Sequence, residues 1–113
     1  MDYRFKIAAR ARSDIRNIWQ YIARDNVLTA NLFRDRLLLA AESLQNFPHR
    51  HGNFAKRPSI RKVAFDTYLI IYKINEESRT VEILRFWHSA RDQHHLRLKE
   101  ENGKYVTTAI LAP

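Results

Sequence analysis

Side chains that could act on a phosphate ester are concentrated in the second half of the sequence. Cleaving RNA without a metal ion requires groups that deprotonate the 2′-hydroxyl, stabilise the extra charge on phosphorus and protonate the leaving oxygen. Histidine suits the acid–base role because a free imidazole titrates near neutral pH, which makes His88 the strongest candidate. The residues that could form such a ribonuclease site are Arg61, Lys62, Arg85, His88 and His94.

The same region could instead bind a target without reacting with it. Arginine makes bidentate contacts with phosphates and carboxylates, and Arg61 and Arg85 lie on adjacent predicted strands, although solvated strand positions explain them equally well. We favour no catalytic residue, because His88 and Arg91 also fit a structural corner in which Asp92 holds Arg91 or caps a helix. The candidate target-binding residues are Arg61, Arg85, Trp87, His88 and Arg91.

The spacing of the histidines raises the question of a metal site. His49 and His51 are separated by one residue, and His94 and His95 are neighbours. Imidazoles with these spacings are weak evidence for a metal, and no carboxylate spacing supports them. The sequence contains no cysteine, which excludes a thiolate site and a disulfide framework. We therefore expect neither a metal nor another cofactor.

The composition is that of a globular protein with a strongly basic surface. The 113 residues suit a single domain over 1–113, and 20 Lys and Arg against 12 Asp and Glu give a formal charge of +8. Such a charge attracts DNA, RNA or an acidic protein partner. No apolar run approaches the roughly 20 residues that span a bilayer, and the first residues lack the pattern of a signal peptide. We expect a cytoplasmic protein.

Hydrophobic periodicity predicts an N-terminal strand followed by two amphipathic helices. Alternating apolar and polar residues indicate a half-buried strand over 2–7. Helical spacing then extends over 9–25, where Trp19 is assigned to the buried face, and over 27–47, where the following Pro48 ends the helix. Because the link between the helices is so short, they should form an antiparallel hairpin.

Further β-rich segments follow a stretch rich in turn formers. Residues 48–59 carry positive charge without any period, which predicts a basic surface loop. Strands are predicted over 60–66, 68–75 and 80–88, and these must run antiparallel because no helix separates them. The strand over 68–75 is apolar on both faces and is expected at the centre of the sheet. The predicted fold class is α+β, with the helical hairpin packed on one face of an antiparallel sheet.

Two interpretations fit the residues after the last of these strands. We prefer a short helix across 90–101. The alternative is a hairpin with strands at 96–100 and 105–111. The last segment, 104–113, is rich in strand-forming residues and is expected to be able to add an edge strand. The domain core is expected over about 3–95, with 96–113 as a C-terminal extension.

Several short motifs occur together in a fixed order. The first helix carries Ala11-x-x-Asp14-Ile15-x-x-Ile18-Trp19, and the last predicted strand carries Val81-Glu-Ile-Leu-Arg85 followed by His88-x-x-Arg91-Asp92. Between them lie Ala30-x-x-Phe33, Leu44-x-x-Phe47-Pro48, Ile60-Arg61 and Tyr68-Leu-Ile-Ile-Tyr72. In this order and spacing the chain resembles the ParE-type toxins of the RelE/ParE superfamily, and the resemblance covers about residues 3–95.

The resemblance implies the toxin of a bacterial type II toxin–antitoxin system, which stabilises a plasmid or genome and is held silent by a cognate acidic antitoxin. The ParE branch of the superfamily acts on DNA gyrase, whereas the RelE branch cuts mRNA in the ribosomal A site. Leu69 stands beside Tyr68 where the RelE branch usually carries an arginine, and an alkyl side chain cannot stabilise a phosphorane.

We therefore expect gyrase inhibition by binding, without membrane contact and with DNA reached only through the antitoxin or gyrase complex. One alternative is a ribosome-dependent mRNA endonuclease of the RelE type, which would be a metal-independent enzyme. Another is a chain of this fold that has lost toxicity and serves only as an antitoxin-binding or DNA-regulatory module.

The charge of the chain predicts how the antitoxin associates. Electrostatic attraction between a +8 chain and an acidic, flexible partner should accelerate association, while buried apolar contacts slow dissociation. Raising the salt concentration should therefore lower the association rate constant several-fold and change the dissociation rate constant little. A stopped-flow or surface-binding series across salt measures both constants. Association that is insensitive to salt would contradict the electrostatic argument.

Overall fold

The N-terminal half of the fold is a strand followed by a helical hairpin. In the computed structural model, which describes residues 3–54, 57–91, 97–99 and 105–107, β1 spans Arg4–Ile7, α1 spans Ala9–Ala23 and α2 spans Val27–Glu42. The Asn26 side chain caps α2 by accepting a hydrogen bond from the amide of Thr29 at 2.9 Å. The predicted strand and hairpin are confirmed. Within the described residues, neither helix is long and apolar enough to cross a bilayer.

The second helix ends earlier than its hydrophobic pattern predicts. The α-helix stops at Glu42, and the chain continues in a 3-10 turn over Ser43–Gln45. The Ser43 hydroxyl donates to the carbonyl of Ala40 at 2.7 Å, a side-chain contact with the backbone that competes with regular helix. Phe47, which periodicity assigns to the buried face, is 77% exposed instead. Its backbone is left-handed, with φ 54°.

The strands form a five-stranded sheet with the order β1-β5-β4-β3-β2. β2 spans Asn53–Phe54, β3 spans Arg57–Phe65, β4 spans Tyr68–Asn75 and β5 spans Thr80–His88. β3, β4 and β5 pair antiparallel and β4 lies at the centre, as predicted.

The first strand makes the sheet mixed rather than entirely antiparallel. β1 pairs in parallel with β5, and Phe5 lies opposite Val81. Parallel neighbours need a long crossover connection, and the chain from α1 to β4 supplies it. The period-2 pattern of β1 shows that it is a strand but carries no information about its partner.

A β-bulge interrupts the pairing of β4 with β5. Tyr72 pairs with Ile83, but Ile71 pairs with Arg85, so Leu84 is an extra residue on β5. An extra residue in one strand changes which face the following side chains occupy. Ile83 and Phe86 accordingly both pack on the helices.

The segment over 48–59, predicted as a loop, is partly regular. A 3-10 turn covers Pro48–Arg50, β2 follows it, and β3 begins at Arg57. The amide of Lys62 donates to the carbonyl of Gly52 at 3.1 Å, which ties this segment to β3. A strand of two residues is too short for a hydrophobic period, so periodicity could not detect β2.

Most of the core lies between the helices and the sheet. Its buried members are Ala11, Ile18, Leu37, Ala41 and Leu44 from the helical half and Ile70, Tyr72, Ile74, Val81, Ile83 and Phe86 from the sheet. A smaller cluster comprises Phe54, Ile60, Ile71 and Trp87. Trp19 is only half-buried, and its indole N–H donates to the Asn31 side chain at 2.8 Å. It therefore links α1 to α2 instead of packing deep against the sheet, because an indole N–H needs a polar partner.

The C-terminal strands decide between the two interpretations of that region. β6 spans Arg97–Lys99, β7 spans Tyr105–Thr107, and they pair antiparallel as a separate two-stranded sheet. The preferred helix is wrong at Arg97–Lys99, and the hairpin alternative is observed there, although β7 does not join the edge of the main sheet.

The different burial of two leucines of α2 predicts that replacing them has very different effects on the free energy of unfolding. Leu37 is fully buried, whereas Leu39 is 64% exposed. Leu37→Ala should lower the free energy of unfolding by about 2–5 kcal/mol, because it leaves a cavity. Leu39→Ala should change it by less than about 0.5 kcal/mol. Urea denaturation of both variants tests this, and equal losses would contradict the assignment of the buried face.

Candidate functional site

Arg85 lies on β5 just beyond the point where the neighbouring strand ends. β1 pairs with β5 only as far as Ile83, so the edge of β5 is open after that residue. The Asp14 carboxylate on α1 closes it, since its Oδ2 accepts a hydrogen bond from the Phe86 amide at 2.9 Å. The same carboxylate accepts from Arg85 Nε at 2.7 Å and from Arg85 Nη2 at 2.9 Å.

This bidentate ion pair is withdrawn from solvent. The side chains of Arg85 and Asp14 are only 8% and 12% exposed. A buried charge must be paired to be tolerated, and here each member pairs the other while joining α1 to β5. Arg85, a candidate for both RNA cleavage and target binding, is thus placed as a tie between helix and sheet. Sequence reasoning missed Asp14, although the residue belongs to the motif of the first helix.

Arg61 fastens the turn between α2 and β2. Its Nη1 donates to the carbonyls of His49 at 3.1 Å and His51 at 2.6 Å, and its buried Nε has no hydrogen-bond partner among the described residues. The hydroxyl of Tyr72 donates to the carbonyl of Pro48 at 2.6 Å, and burial raises the pKa of Tyr72 to about 12. Because β4 lies between β3 and β5, Arg61 and Arg85 are not on adjacent strands as predicted.

The histidines of this turn make protein contacts. His49 pairs with Glu76, and Glu76 also accepts a hydrogen bond from the Tyr3 hydroxyl at 2.8 Å. The hydrogen bonds from Tyr3 and His49 lower the pKa of Glu76, whereas burial and the nearby Arg50 lower the pKa of His51. In the part of the chain that the structure describes, no group of side chains is arranged to hold a metal ion. His94 and His95 lie outside it.

Lys62 is also placed apart from the other candidates. Its ammonium group lies 5.7 Å from the centre of the Phe54 ring, and its side chain is half-buried. Phe54 belongs to the smaller apolar cluster, against which Leu69 also packs. Leu69, whose alkyl side chain argued against RNA cleavage, is therefore part of an apolar face.

The end of β5 forms a tight corner that includes three of the candidates. Trp87 is buried, its Nε1 donates to the carbonyl of Arg91 at 3.4 Å, and the Arg91 guanidinium lies 3.9 Å from the centre of its ring. The amide of Arg91 donates to the carbonyl of His88 at 3.0 Å. His88 Nδ1 accepts from the amide of Ala90 at 3.1 Å. His88 and Arg91 thus lie together here, while Asp92, on which the predicted structural corner depends, and the candidate His94 lie outside the described residues.

A shallow cleft opens beside this corner. Its volume is about 170 Å³, and it is lined by Asp14, Asn17, Ile18, Tyr21, Tyr68, Phe86, His88 and Arg91. Tyr68 and His88 make an edge-to-face contact with ring centres 5.1 Å apart. Burial, followed by Tyr21 and Asp66, raises the pKa of Tyr68, so its hydroxyl stays protonated at neutral pH. The structure therefore brings together His88 and Arg91, with groups that the sequence did not single out.

Comparisons with known proteins agree with this architecture. Residues 5–93 match the family of ParE toxins of the parDE type II toxin–antitoxin system. No curated protein matches the chain with statistical significance.

Several solved structures are similar in fold. A structure of the chromosomal ParDE system from P. aeruginosa has a TM-score of 0.65 at 14% identity, covering 77% of this chain and 96% of that one. The RelBE2 toxin–antitoxin complex from Mycobacterium tuberculosis has a TM-score of 0.58 at 24% identity, covering 78% and 99%. The isolated E. coli RelE toxin has a TM-score of 0.53 at 15% identity, covering 80% and 88%. At these identities the likeness shows the fold alone.

The buried ion pair predicts a large effect of one isosteric substitution. Asp14→Asn should lower the free energy of unfolding by about 3–5 kcal/mol, because it leaves the Arg85 charge buried and uncompensated. Asp35→Asn is the matched control, since the pair of Asp35 with Arg34 is exposed and should contribute at most about 1 kcal/mol. Chemical denaturation measures both, and a similar loss in the two variants would show that the buried pair does not hold α1 to the sheet.

Proposed function

The chain belongs to the ParE toxin family of type II toxin–antitoxin systems, and from this membership we propose that it inhibits DNA gyrase by binding it. The proposal includes neutralisation of the toxin by a cognate antitoxin. The ParDE and RelBE2 structures of similar fold support this part, because they come from toxin–antitoxin systems. The protein acts in the cytoplasm and reaches DNA only through gyrase or the antitoxin complex.

The ion pair of Arg85 with Asp14 is the observation that favours target binding over RNA cleavage. A cation that stabilises a phosphorane must face the developing charge, but Nε and Nη2 of the Arg85 guanidinium both donate to Asp14. Arg61 is bonded to turn carbonyls in the same way. Leu69 adds a third argument, since it packs on the apolar face of the sheet.

We assign target binding to the corner at the end of β5. Arg91 is exposed, and its guanidinium carbon lies 3.9 Å from the centre of the Trp87 ring. An arginine stacked on an aromatic ring is ordered before binding and loses less side-chain entropy in a complex. His88 lies in the same turn, and Trp87 serves as the buried base beneath it.

Paired assays separate this proposal from its alternative. Purified toxin should reduce DNA supercoiling by gyrase and should leave ribosome-bound mRNA uncut in primer extension. Arg91→Ala should weaken gyrase inhibition about tenfold, equivalent to about 1.4 kcal/mol. Arg16→Ala, which removes an exposed charge of α1, is the matched control and should leave inhibition unchanged.

The opposite pattern would identify a RelE-type endonuclease. Specific cleavage in the ribosomal A site that disappears in His88→Ala, with supercoiling unaffected by the toxin, would overturn the proposal. Adding the cognate antitoxin must abolish whichever activity is observed.

A further inference from the structure

The cleft beside the corner is lined by several hydrogen-bond donors from separate elements. Asn17 and Tyr21 come from α1, Tyr68 from the start of β4, and His88 and Arg91 from the end of β5 and the turn after it. The side chains of Asn17 and Arg91 and the hydroxyls of Tyr21 and Tyr68 make no hydrogen bond to another described residue. These polar groups are therefore available to a ligand.

The histidine adds a donor in its neutral form. His88 Nδ1 accepts a hydrogen bond from the amide of Ala90 at 3.1 Å. A ring nitrogen that accepts a hydrogen bond carries no proton, so the proton of the neutral ring is on Nε2. The ring is held further by its edge-to-face contact with Tyr68.

The acidic residue of the cleft does not repel an anion strongly. Of the residues that line the cleft, only Asp14 is acidic. Its carboxylate accepts two hydrogen bonds from Arg85 and one from the Phe86 amide. Because the Arg85 charge neutralises it at contact distance, the free charge of the cleft is that of Arg91.

We propose that this cleft binds a phosphate ester group, either of a free nucleotide or of a nucleic-acid strand. Arg91 supplies the charge and a bidentate donor pair, while Asn17, Tyr21, Tyr68 and His88 supply neutral donors. This inference concerns the corner that we assign to the target, but it does not require that the target be gyrase.

Size and donor number both favour a phosphate group over other ligands. A volume of about 170 Å³ is well below the roughly 300–1,000 Å³ of pockets for drug-sized molecules, so the cleft suits one compact anionic group. A carboxylate is planar and has two oxygens, whereas a phosphate group presents its oxygens tetrahedrally. The tetrahedral group is better matched to donors that approach from α1, β4 and the end of β5.

The mouth of the cleft offers a place for the rest of the ligand. Tyr21 is 67% exposed, and the Arg24 guanidinium lies 5.8 Å from the centre of its ring. Exposed aromatic rings beside basic groups stack on bases in proteins that bind single-stranded nucleic acids. A base next to the bound phosphate would therefore meet the Tyr21 ring.

Nuclear magnetic resonance titrations of the purified toxin test the site. Inorganic phosphate, a nucleoside monophosphate, a short single-stranded oligonucleotide and acetate are added separately at constant ionic strength. Phosphate should shift the side-chain signals of Asn17, His88 and Arg91, and acetate should bind at least fivefold more weakly. Tighter binding of the oligonucleotide than of the mononucleotide identifies a nucleic-acid strand as the source, and equal binding identifies a free nucleotide.

Variants of cleft residues test whether phosphate binds in the cleft. Arg91→Lys should raise the dissociation constant for phosphate about tenfold, since it removes the bidentate donor pair. Tyr68→Phe should raise it about threefold while keeping the ring contact with His88. Arg16→Lys, on α1 but outside the cleft, should not change it. The amide spectrum of each variant shows whether its fold is retained.

The results that overturn the inference are equally specific. Equal affinity for acetate and phosphate would indicate a carboxylate site, as expected for an acidic peptide. Shifts spread over many surface arginines, or a dissociation constant unchanged in both Arg91→Lys and Tyr68→Phe, would indicate charge attraction without a site. Phosphate binding without gyrase inhibition would leave this inference standing and refute the proposed function, and the reverse result would do the opposite.

Discussion

The buried bond between Asp14 and Arg85 is the constraint on which the arrangement of helices and sheet depends. β1 covers only part of β5, and the rest of that strand edge would leave a backbone amide without a partner. The Asp14 carboxylate takes the Phe86 amide and the Arg85 guanidinium together. Since the carboxylate belongs to α1, the same bonds fix the position of that helix over the sheet. Asp14 and Phe86 also line the cleft beside the corner.

A second, half-buried cation binds backbone groups at the other side of the sheet. Arg61 and the hydroxyl of Tyr72 bind carbonyls of the turn that leads from α2 into β2. Both arginines thus satisfy backbone or carboxylate groups where regular structure ends, which an apolar side chain cannot do. The groups that remain available for partners lie elsewhere, chiefly at the exposed turn with His88 and Arg91. The arginines that hold the fold together are therefore different from the arginine that we propose for target binding.

Periodicity predicted the elements that have long apolar faces, namely the hairpin of α1 and α2 and the strands β3 to β5. It failed where local contacts decide the structure, as at the Ser43 hydroxyl that accompanies the end of α2. The site was only partly predictable for a related reason. An arginine on a strand has the same sequence signature whether it meets solvent, a ligand or a carboxylate, and the partner of Arg85 is 71 residues away. His88 and Arg91 lie together because they are neighbours in sequence, whereas Asn17, Tyr21 and Tyr68 meet them only through the fold.

The bulge at Leu84 changes which residues of β5 face the helices. Before it, the odd-numbered residues Val81 and Ile83 face the helices; after it, the even-numbered Phe86 does, and Trp87 joins the cluster on the opposite side. The same change aligns His88 with Tyr68 across the ladder, so the two rings meet at the cleft. If β5 alternated regularly through Leu84, without the bulge, the Trp87 indole would face the helices and the His88 imidazole would face away from α1. The cleft therefore depends on the position of the bulge in β5 as well as on the side chains that line it.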